Sequence, residues 1–235
     1  MRKVDPAGVK SDFNDFAVER LAHFGRLEIL LKGTAHEKRD LSLLSEMTLH
    51  SAYVAFEVFL SDLMLAYINR DFSVYQQDLK SRIDASISSK FGSAAASRTN
   101  FSVSKHISVQ DLEQLIDPTG WNLTFKDVAE LKRKFASWVL AVHGAGVAAL
   151  SASDTRLIDT TRAIRNFIAH GSTGSKAIMN VSLLTISTGP GCINASLPRG
   201  PHKIDDVGAY LKSFSNGKRR LLTYIERLQA IAAGL

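Results

Sequence analysis

The sequence has almost no cysteine and no long apolar run. Cys192 is the one cysteine among 235 residues, so no disulfide can form within the chain and a reducing compartment is expected. No N-terminal segment combines basic residues, an apolar stretch and a small-residue cleavage site. No apolar run approaches the roughly 18 residues of a membrane span. These absences predict a cytoplasmic protein without a membrane partner.

No cluster of cysteine, histidine and carboxylate residues has the spacing of metal ligands. We therefore expect neither a metal nor another cofactor. No ribonucleoprotein motif presents aromatic rings for base stacking, which leaves sequence-specific RNA reading unsupported. The composition, 45% hydrophobic and 22% charged, is that of a folded soluble protein. A net charge of +6 produces a modest positive field that attracts polyanions.

Apolar residues recur at helical spacing along most of the sequence. The sequence therefore predicts an all-α fold in one domain over residues 11–235, after a flexible arm over 1–10. A flexible loop is expected over 92–104. A β-hairpin is expected over 180–198, where two β-branched stretches flank Gly-Pro-Gly. The predicted helices cover residues 11–33, 41–69, 75–91, 109–116, 124–150, 153–170 and 205–233.

The second helix carries an apolar stripe that should be central to the core, formed by Leu49, Tyr53, Phe56, Leu60, Met64 and Tyr67. Glu57 lies within this stripe, four residues after Tyr53. Because burying an unpaired carboxylate is costly, Glu57 needs a cationic or donor partner. We expect Arg162 or Arg165 to supply it, unless a local bend exposes the carboxylate.

The stretch TRAIRNFIAHGS, residues 161–172, belongs to a helix that we expect Ser153 with Asp154 to cap and Gly171 to end. One face of this helix is continuously polar over a strip roughly 80° wide. The strip contains Thr155, Asp159, Arg162, Asn166 and His170. The opposite, core-facing side contains Leu157, Thr161, Ile164, Phe167 and Ile168.

Arg165 and His170 are five residues apart, about 140° around one straight helix, so a single chain brings them together poorly. Two copies of the helix packed about a two-fold axis would place the Arg of one beside the His of the other. A guanidinium grips a phosphate, and an imidazole moves protons near neutral pH. The residues therefore suggest phosphodiester chemistry at a site shared by a homodimer, with Asn166 orienting either group.

A structural interpretation is equally open at this point. Arg and His near a helix end complement the dipole, and Gly171 is an ordinary C-terminal cap. Asp159 and Arg162, three residues apart, can simply pair with each other. His50 and His143 are interpreted as structural. The basic stretches 132–134 and 218–220 are expected to be solvated faces that extend an RNA track only if they face the cleft.

RAIRNFIAHGS after SDTRLIDTT resembles the signature of the HEPN superfamily, an Arg followed after four to six residues by His, commonly with a polar residue after the Arg. Arg165, Asn166 and His170 match it. The size and the expected hairpin are most similar to the RiboL-PSP-like ribonuclease branch. The resemblance implies a dimeric, metal-independent endoribonuclease in which 2′-hydroxyl attack leaves a 2′,3′-cyclic phosphate.

The same resemblance implies a toxin or antiviral-defence effector, with an antitoxin or regulatory protein as a further partner. The motif continues His-Gly-Ser instead of the His-x-Tyr that receives inactivating nucleotides in some toxin–antitoxin pairs, so that regulation is not implied. Two alternatives stay open. One is a non-catalytic HEPN module that binds a nucleotide, RNA or a partner protein, and the other is a structural helical adaptor.

Overall fold

The structure is a computed structural model that describes residues 4–101, 107–118, 123–187 and 203–235. These residues form helices and one short antiparallel hairpin, which confirms the all-α fold class with a small β-hairpin. The first helices are α1 (Pro6–Leu31), α2 (Glu37–Arg70), α3 (Ser73–Phe91), α4 (Ser93–Ala96), α5 (Val109–Ile116), α6 (Val128–Trp138) and α7 (Ala141–Ala148). They are followed by α8 (Ala152–His170), α9 (Thr173–Ser187), α10 (Val207–Lys212), β1 (Phe214–Ser215), β2 (Lys218–Arg219) and α11 (Arg220–Gly234).

The chain divides into two compact units. The first unit consists of Met1–Val9 and Leu60–Ala149, and the second unit consists of Lys10–Phe59 and Leu150–Leu235. The second unit holds all the residues of the TRAIRNFIAHGS stretch together with Glu57. The single domain over 11–235 stays a prediction.

The core of the second unit is aromatic where α1 meets α2. Phe13 packs edge-on to Phe56, with ring centroids 5.5 Å apart, and stacks on Phe59 at 5.0 Å. Full burial of such a side chain contributes about 1.5–3 kcal/mol, so these three rings hold the two helices together. Leu49, Tyr53 and Phe56 of the predicted α2 stripe are buried here, as are Leu157, Thr161 and Ile164 of α8. The other three residues of the stripe are buried and belong to the first unit. Phe167 and Ile168 are half-buried.

The first unit has a polar and aromatic cluster of its own. Trp138 of α6 donates its indole N–H to Asp78 of α3 over 3.0 Å and meets the ring of Tyr75 edge-on. His143 stacks on Tyr67 with centroids 5.2 Å apart, which confirms its interpretation as a packed histidine.

Several predicted helix starts were wrong. Helix α2 begins at Glu37 and not at residue 41, so most of the charged stretch 36–40 is helical. Helix α1 begins at Pro6 and not at Ser11, so residues 6–10 of the expected arm are helical. Pro favours the first helical position, and Asp5 accepts a hydrogen bond from the N–H of Ala7 at 3.2 Å. Helix α8 is capped by Ser151 and not by Ser153. The hydroxyl of Ser151 accepts from the N–H of Asp154, whose carboxylate accepts in return from the Ser151 N–H.

The helix expected over 124–150 is two helices. Asp127 caps α6, with its side chain accepting from the N–H of Glu130, but Val139 and Leu140 are extended and separate α6 from α7. Val139 is β-branched and buried, and α7 itself contains two glycines, which lowers its helix propensity. The expected loop over 92–104 begins with the single turn α4, and its residues 102–104 lie outside the described residues.

The hairpin expected over 180–198 does not form where it was placed. Residues 180–187 are the second half of α9, which packs on α8 through the buried Met179, Leu183 and Ile186. These three residues recur at helical spacing, so the packing against α8 overrides the preference of the β-branched residues for strands. Residues 188–198, with Cys192, lie outside the described residues.

The last predicted helix, over 205–233, is interrupted by the hairpin β1–β2. Asn216 and Gly217 both have positive φ, 53° and 77°, as a two-residue turn of this type requires. Asn-Gly is the strongest short-range hairpin signal, and the helical prediction passed over it. As a result Phe214, expected on the inner face, is 62% exposed.

Helix α2 is long and apolar enough to cross a membrane by length and composition, contrary to the absence of such a run expected from the sequence. In the apolar part of this helix 56% of the residues are buried within the protein. Core helices of soluble proteins pass the same test, so the finding is weak.

Candidate functional site

The candidate site lies where one face of α2 meets α8 in the second unit. Tyr53 and Glu57 are four residues apart on α2 and therefore lie on the same face of the helix. Arg162 and Arg165 are three apart on α8. The aromatic core fixes α2, and the Ser151 cap, the apolar side of α8 and the left-handed Gly171 (φ 60°) fix α8.

Arg165 is held by two side chains. One of its terminal nitrogens donates to Oε2 of Glu57 over 2.5 Å, and the other donates to Oδ1 of Asn166 over 2.9 Å. The side chains of Arg165 and Glu57 are 24% and 16% exposed. The expectation that Glu57 needs a cationic partner is confirmed, and that partner is Arg165.

Burial raises the pKa of Glu57, although the positive charges of Arg165 and Arg162 and the hydrogen bond from Arg165 all lower it. The close ion pair therefore offsets only part of the desolvation of the carboxylate. Half-buried ion pairs of this kind add little net stability. The desolvation cost of such an ion pair is more easily understood where its charges take part in binding or catalysis.

The Nε of Arg165 is buried and has no hydrogen-bond partner, and within the described part of the chain it is the one buried side-chain nitrogen or oxygen of this kind. A donor in this state usually costs about 1–3 kcal/mol. The guanidinium is thus fixed at its two terminal nitrogens by Glu57 and Asn166, and its buried Nε–H has no acceptor.

Tyr53 is buried beneath the charges, with 2% of its surface exposed. Burial raises its pKa far above the ordinary value of 10, and Glu57 and Asp159 raise it further, while Arg162 and Arg165 lower it. The phenol is therefore protonated at any physiological pH and is available only as a hydroxyl. Arg162 and Asp159 both act on it electrostatically, which places them around the same site.

His50, which the sequence analysis interpreted as structural, lies beside the same site. It precedes Tyr53 by three residues and Glu57 by seven, so all three lie on one face of α2. Burial and the positive charge of Arg165 lower its pKa from 6.5. The spacing of three and four residues is visible in the sequence and places His50 on the same helix face as Glu57.

His170, the expected proton-transfer group, is the last residue of α8 and is exposed. The structure thus brings Arg165, Asn166 and Glu57 into direct contact, surrounds them with Arg162 and Asp159, and leaves His170 accessible at the helix end. Its pairing with Arg165 of a second copy stays a prediction.

The basic stretches have local partners. In the first unit Arg133 and Lys134 pair with Glu130. In the second unit Lys218 pairs with Glu226 and Arg219 with Glu28, and Arg220 is buried against the ring of Tyr210. Most of these cations are committed to structural contacts, and Arg220 is not a solvated residue.

Among the described residues no group of three or more histidine, cysteine and carboxylate side chains could hold a metal ion. Two pockets, of about 260 and 500 Å³, lie near Asp205, and neither is lined by the residues around Arg165.

Comparison with protein-family models, with curated proteins and with solved structures gives no match to this chain.

Proposed function

We propose that this protein is a metal-independent endoribonuclease of the HEPN type that acts as a homodimer through α8. The observation that carries the proposal is the state of Arg165, which Glu57 and Asn166 hold in place through two of the five N–H donors of its guanidinium. A phosphodiester offers acceptor oxygens at the spacing that a guanidinium fork prefers. The net charge of +6 favours the approach of RNA.

In the proposed reaction Arg165 binds the non-bridging oxygens of the scissile phosphate and stabilises the charge that develops there. The 2′-oxygen attacks phosphorus as its proton passes to an imidazole, and the bond from phosphorus to the 5′-oxygen breaks. The departing oxygen takes up a proton. The products are a 2′,3′-cyclic phosphate and a 5′-hydroxyl, and no water molecule or metal is consumed.

The other residues have distinct roles in this scheme. His170, exposed at the end of α8, moves the proton at a site that the partner copy completes. Glu57 and Asn166 position the guanidinium of Arg165 through the bonds described above. Arg162 and Asp159 set the electrostatic field around them.

In the cell such an enzyme would act in the cytoplasm as a toxin or an antiviral-defence effector. Unrestrained RNA cleavage harms its host, so an antitoxin or another regulatory protein is the expected partner. The proposal includes no cofactor.

The test is an RNA cleavage assay in the presence of a chelator, with wild-type protein and the His170→Ala and Arg165→Lys variants. His23→Ala, at an exposed position on α1, is the matched control. We expect the first two variants to lose at least 100-fold in rate and the control to match the wild type. Products that end in 2′,3′-cyclic phosphate are expected by mass spectrometry, and equal cleavage by all variants would refute the proposal.

One observation favours a second candidate, a HEPN module that binds RNA or a nucleotide without cutting it. The guanidinium of Arg165 already has a carboxylate at 2.5 Å, which competes with a phosphate for the same donor. Binding of RNA by the wild type without any new RNA ends would identify this module. A purely structural adaptor would instead show little dependence of RNA affinity on salt.

A further inference from the structure

On the α2 side of the site three titratable residues share one face over two helical turns. His50, Tyr53 and Glu57 follow each other at spacings of three and four residues, so their side chains leave the helix in nearly the same direction. His50 and Glu57 lie about 10 Å apart along the helix axis, and the buried ring of Tyr53 lies between them.

Arg165 connects the two ends of this face. Its guanidinium binds Glu57 directly, and its positive charge also acts on the imidazole of His50. His50 is half-buried, so its ring is partly accessible while its rotamers are restricted by neighbouring side chains.

We propose that His50 is a further catalytic residue of this site, the imidazole that accepts the 2′-hydroxyl proton of an RNA whose phosphate is held by Arg165. The inference rests on the proposed endoribonuclease function and divides its proton transfers between two histidines. His50 takes the proton of the attacking oxygen. His170 gives a proton to the departing 5′-oxygen, and solvent restores both rings after the cyclic phosphate has left.

The protonation state of His50 suits its role as the proton acceptor. Burial and Arg165 lower the pKa of His50, so the ring is neutral at pH 7 and can accept a proton. His170 is exposed at the carboxyl end of α8, where solvent and a bound RNA can reach its ring. Arg165 is the charged group that acts on His50. Further along the same face Glu57, Asp159, Arg162 and Arg165 act on Tyr53, and Arg162 and Arg165 act on Glu57.

The first experiment measures RNA cleavage by the wild type, His50→Gln and the control His23→Gln as a function of pH, in chelator. Glutamine keeps much of the size and polarity of the imidazole but cannot accept the proton. We expect His50→Gln to lower kcat by about 100-fold or more, with KM changed by less than about threefold. The rise in rate with pH that reports deprotonation of His50 should also disappear.

The second experiment needs no turnover and guards against a folding defect in the variant. Imidazole signals of the wild-type protein are followed by NMR during pH titrations with and without inorganic phosphate. An anion bound by Arg165 beside His50 should raise the pKa of His50 and leave that of His23 unchanged.

The outcomes distinguish a failure of the His50 assignment from a failure of the proposed endoribonuclease function. If the wild type cleaves RNA and His50→Gln cleaves it at the same rate with the same pH profile, the assignment of His50 is wrong and the endoribonuclease stands. The same conclusion follows if phosphate moves the pKa of His170 but not that of His50. Wild-type protein that cleaves no RNA would overturn both.

Discussion

Two arginines, one in each unit, pair with a carboxylate near a tyrosine, and their surroundings differ. In the first unit Arg82 pairs with Asp78 over 2.8 Å, one turn away on α3, and 51% of its side chain is exposed. The same carboxylate accepts from Trp138, and the guanidinium lies over the rings of Tyr75 and Trp138. This arrangement is local and well satisfied.

In the second unit Arg165 pairs with Glu57, 108 residues away in sequence, and the pair is mostly buried. The carboxyl pKa is raised, and one N–H of the guanidinium lacks an acceptor. A fold that needed only stability would gain more from apolar residues at these positions. The comparison suggests that Arg82 serves the structure and that Arg165 serves a ligand.

Replacing each arginine with methionine tests this comparison most directly. Arg165→Met should abolish RNA cleavage, a loss of at least 100-fold, and should lower the free energy of unfolding by about 2 kcal/mol. This loss of stability is small for a broken buried ion pair because Glu57 can take up a proton once Arg165 is removed. Arg82→Met should change stability by less than about 1 kcal/mol and leave cleavage unchanged.

Cleavage assays and urea denaturation measure both effects. If Arg82→Met harms cleavage as much as Arg165→Met does, the distinction between a structural and a functional ion pair fails.

The pH dependence of stability offers a smaller effect of defined sign. The pKa of Glu57 is raised in the folded state, so the folded protein binds this proton more readily than the unfolded chain does. Glu57 should therefore add stability as pH falls from the raised pKa toward 4.5. In Glu57→Gln that gain is lost, and the difference from wild type should be about 1 kcal/mol at most.

Glu130 of the first unit is the matched control with the opposite sign. The N–H of Lys126 donates to its carboxylate over 2.6 Å and lowers its pKa, with further help from Lys134. Its contribution is present at pH 7 and should be lost only as pH falls below about 4.5. Urea denaturation of both Gln variants at pH 7 and pH 5 checks the pair. A wild type that loses stability relative to Glu57→Gln between these values would contradict the raised pKa.

The parts of the fold predicted from sequence are those in which local and long-range forces agree. The α2 stripe and α5 repeat apolar residues at helical spacing, and both were found where the sequence placed them. Glu57 was expected to have a cationic partner because a carboxylate in an apolar stripe requires one.

The errors fall where two signals compete. The β-branched residues of α9 favour a strand, but packing against α8 favours a helix, and no property of that segment alone decides between them. Asn216 and Gly217 specify a turn within a longer helical pattern, and the turn was hidden by the pattern on either side. His50 was interpreted as structural because its proximity to Arg165, 115 residues later in the chain, is not visible in the sequence.

Substitution at the N-cap of α8 should have the smallest effect. It tests the helix that positions Arg165 and does not change any charge of the site. Ser151 accepts from the N–H of Asp154 over 3.1 Å, so Ser151→Ala should lower the free energy of unfolding by about 1 kcal/mol. Ser153→Ala, at the position that the sequence favoured as the cap, should change it by less than about 0.5 kcal/mol, since its hydroxyl has only a 3.3 Å contact with Arg227. Both variants should keep the pKa of His50, because the α2 face and Arg165 are unaltered. A larger loss in Ser153→Ala than in Ser151→Ala, measured by urea denaturation, would show that α8 begins where the sequence placed it.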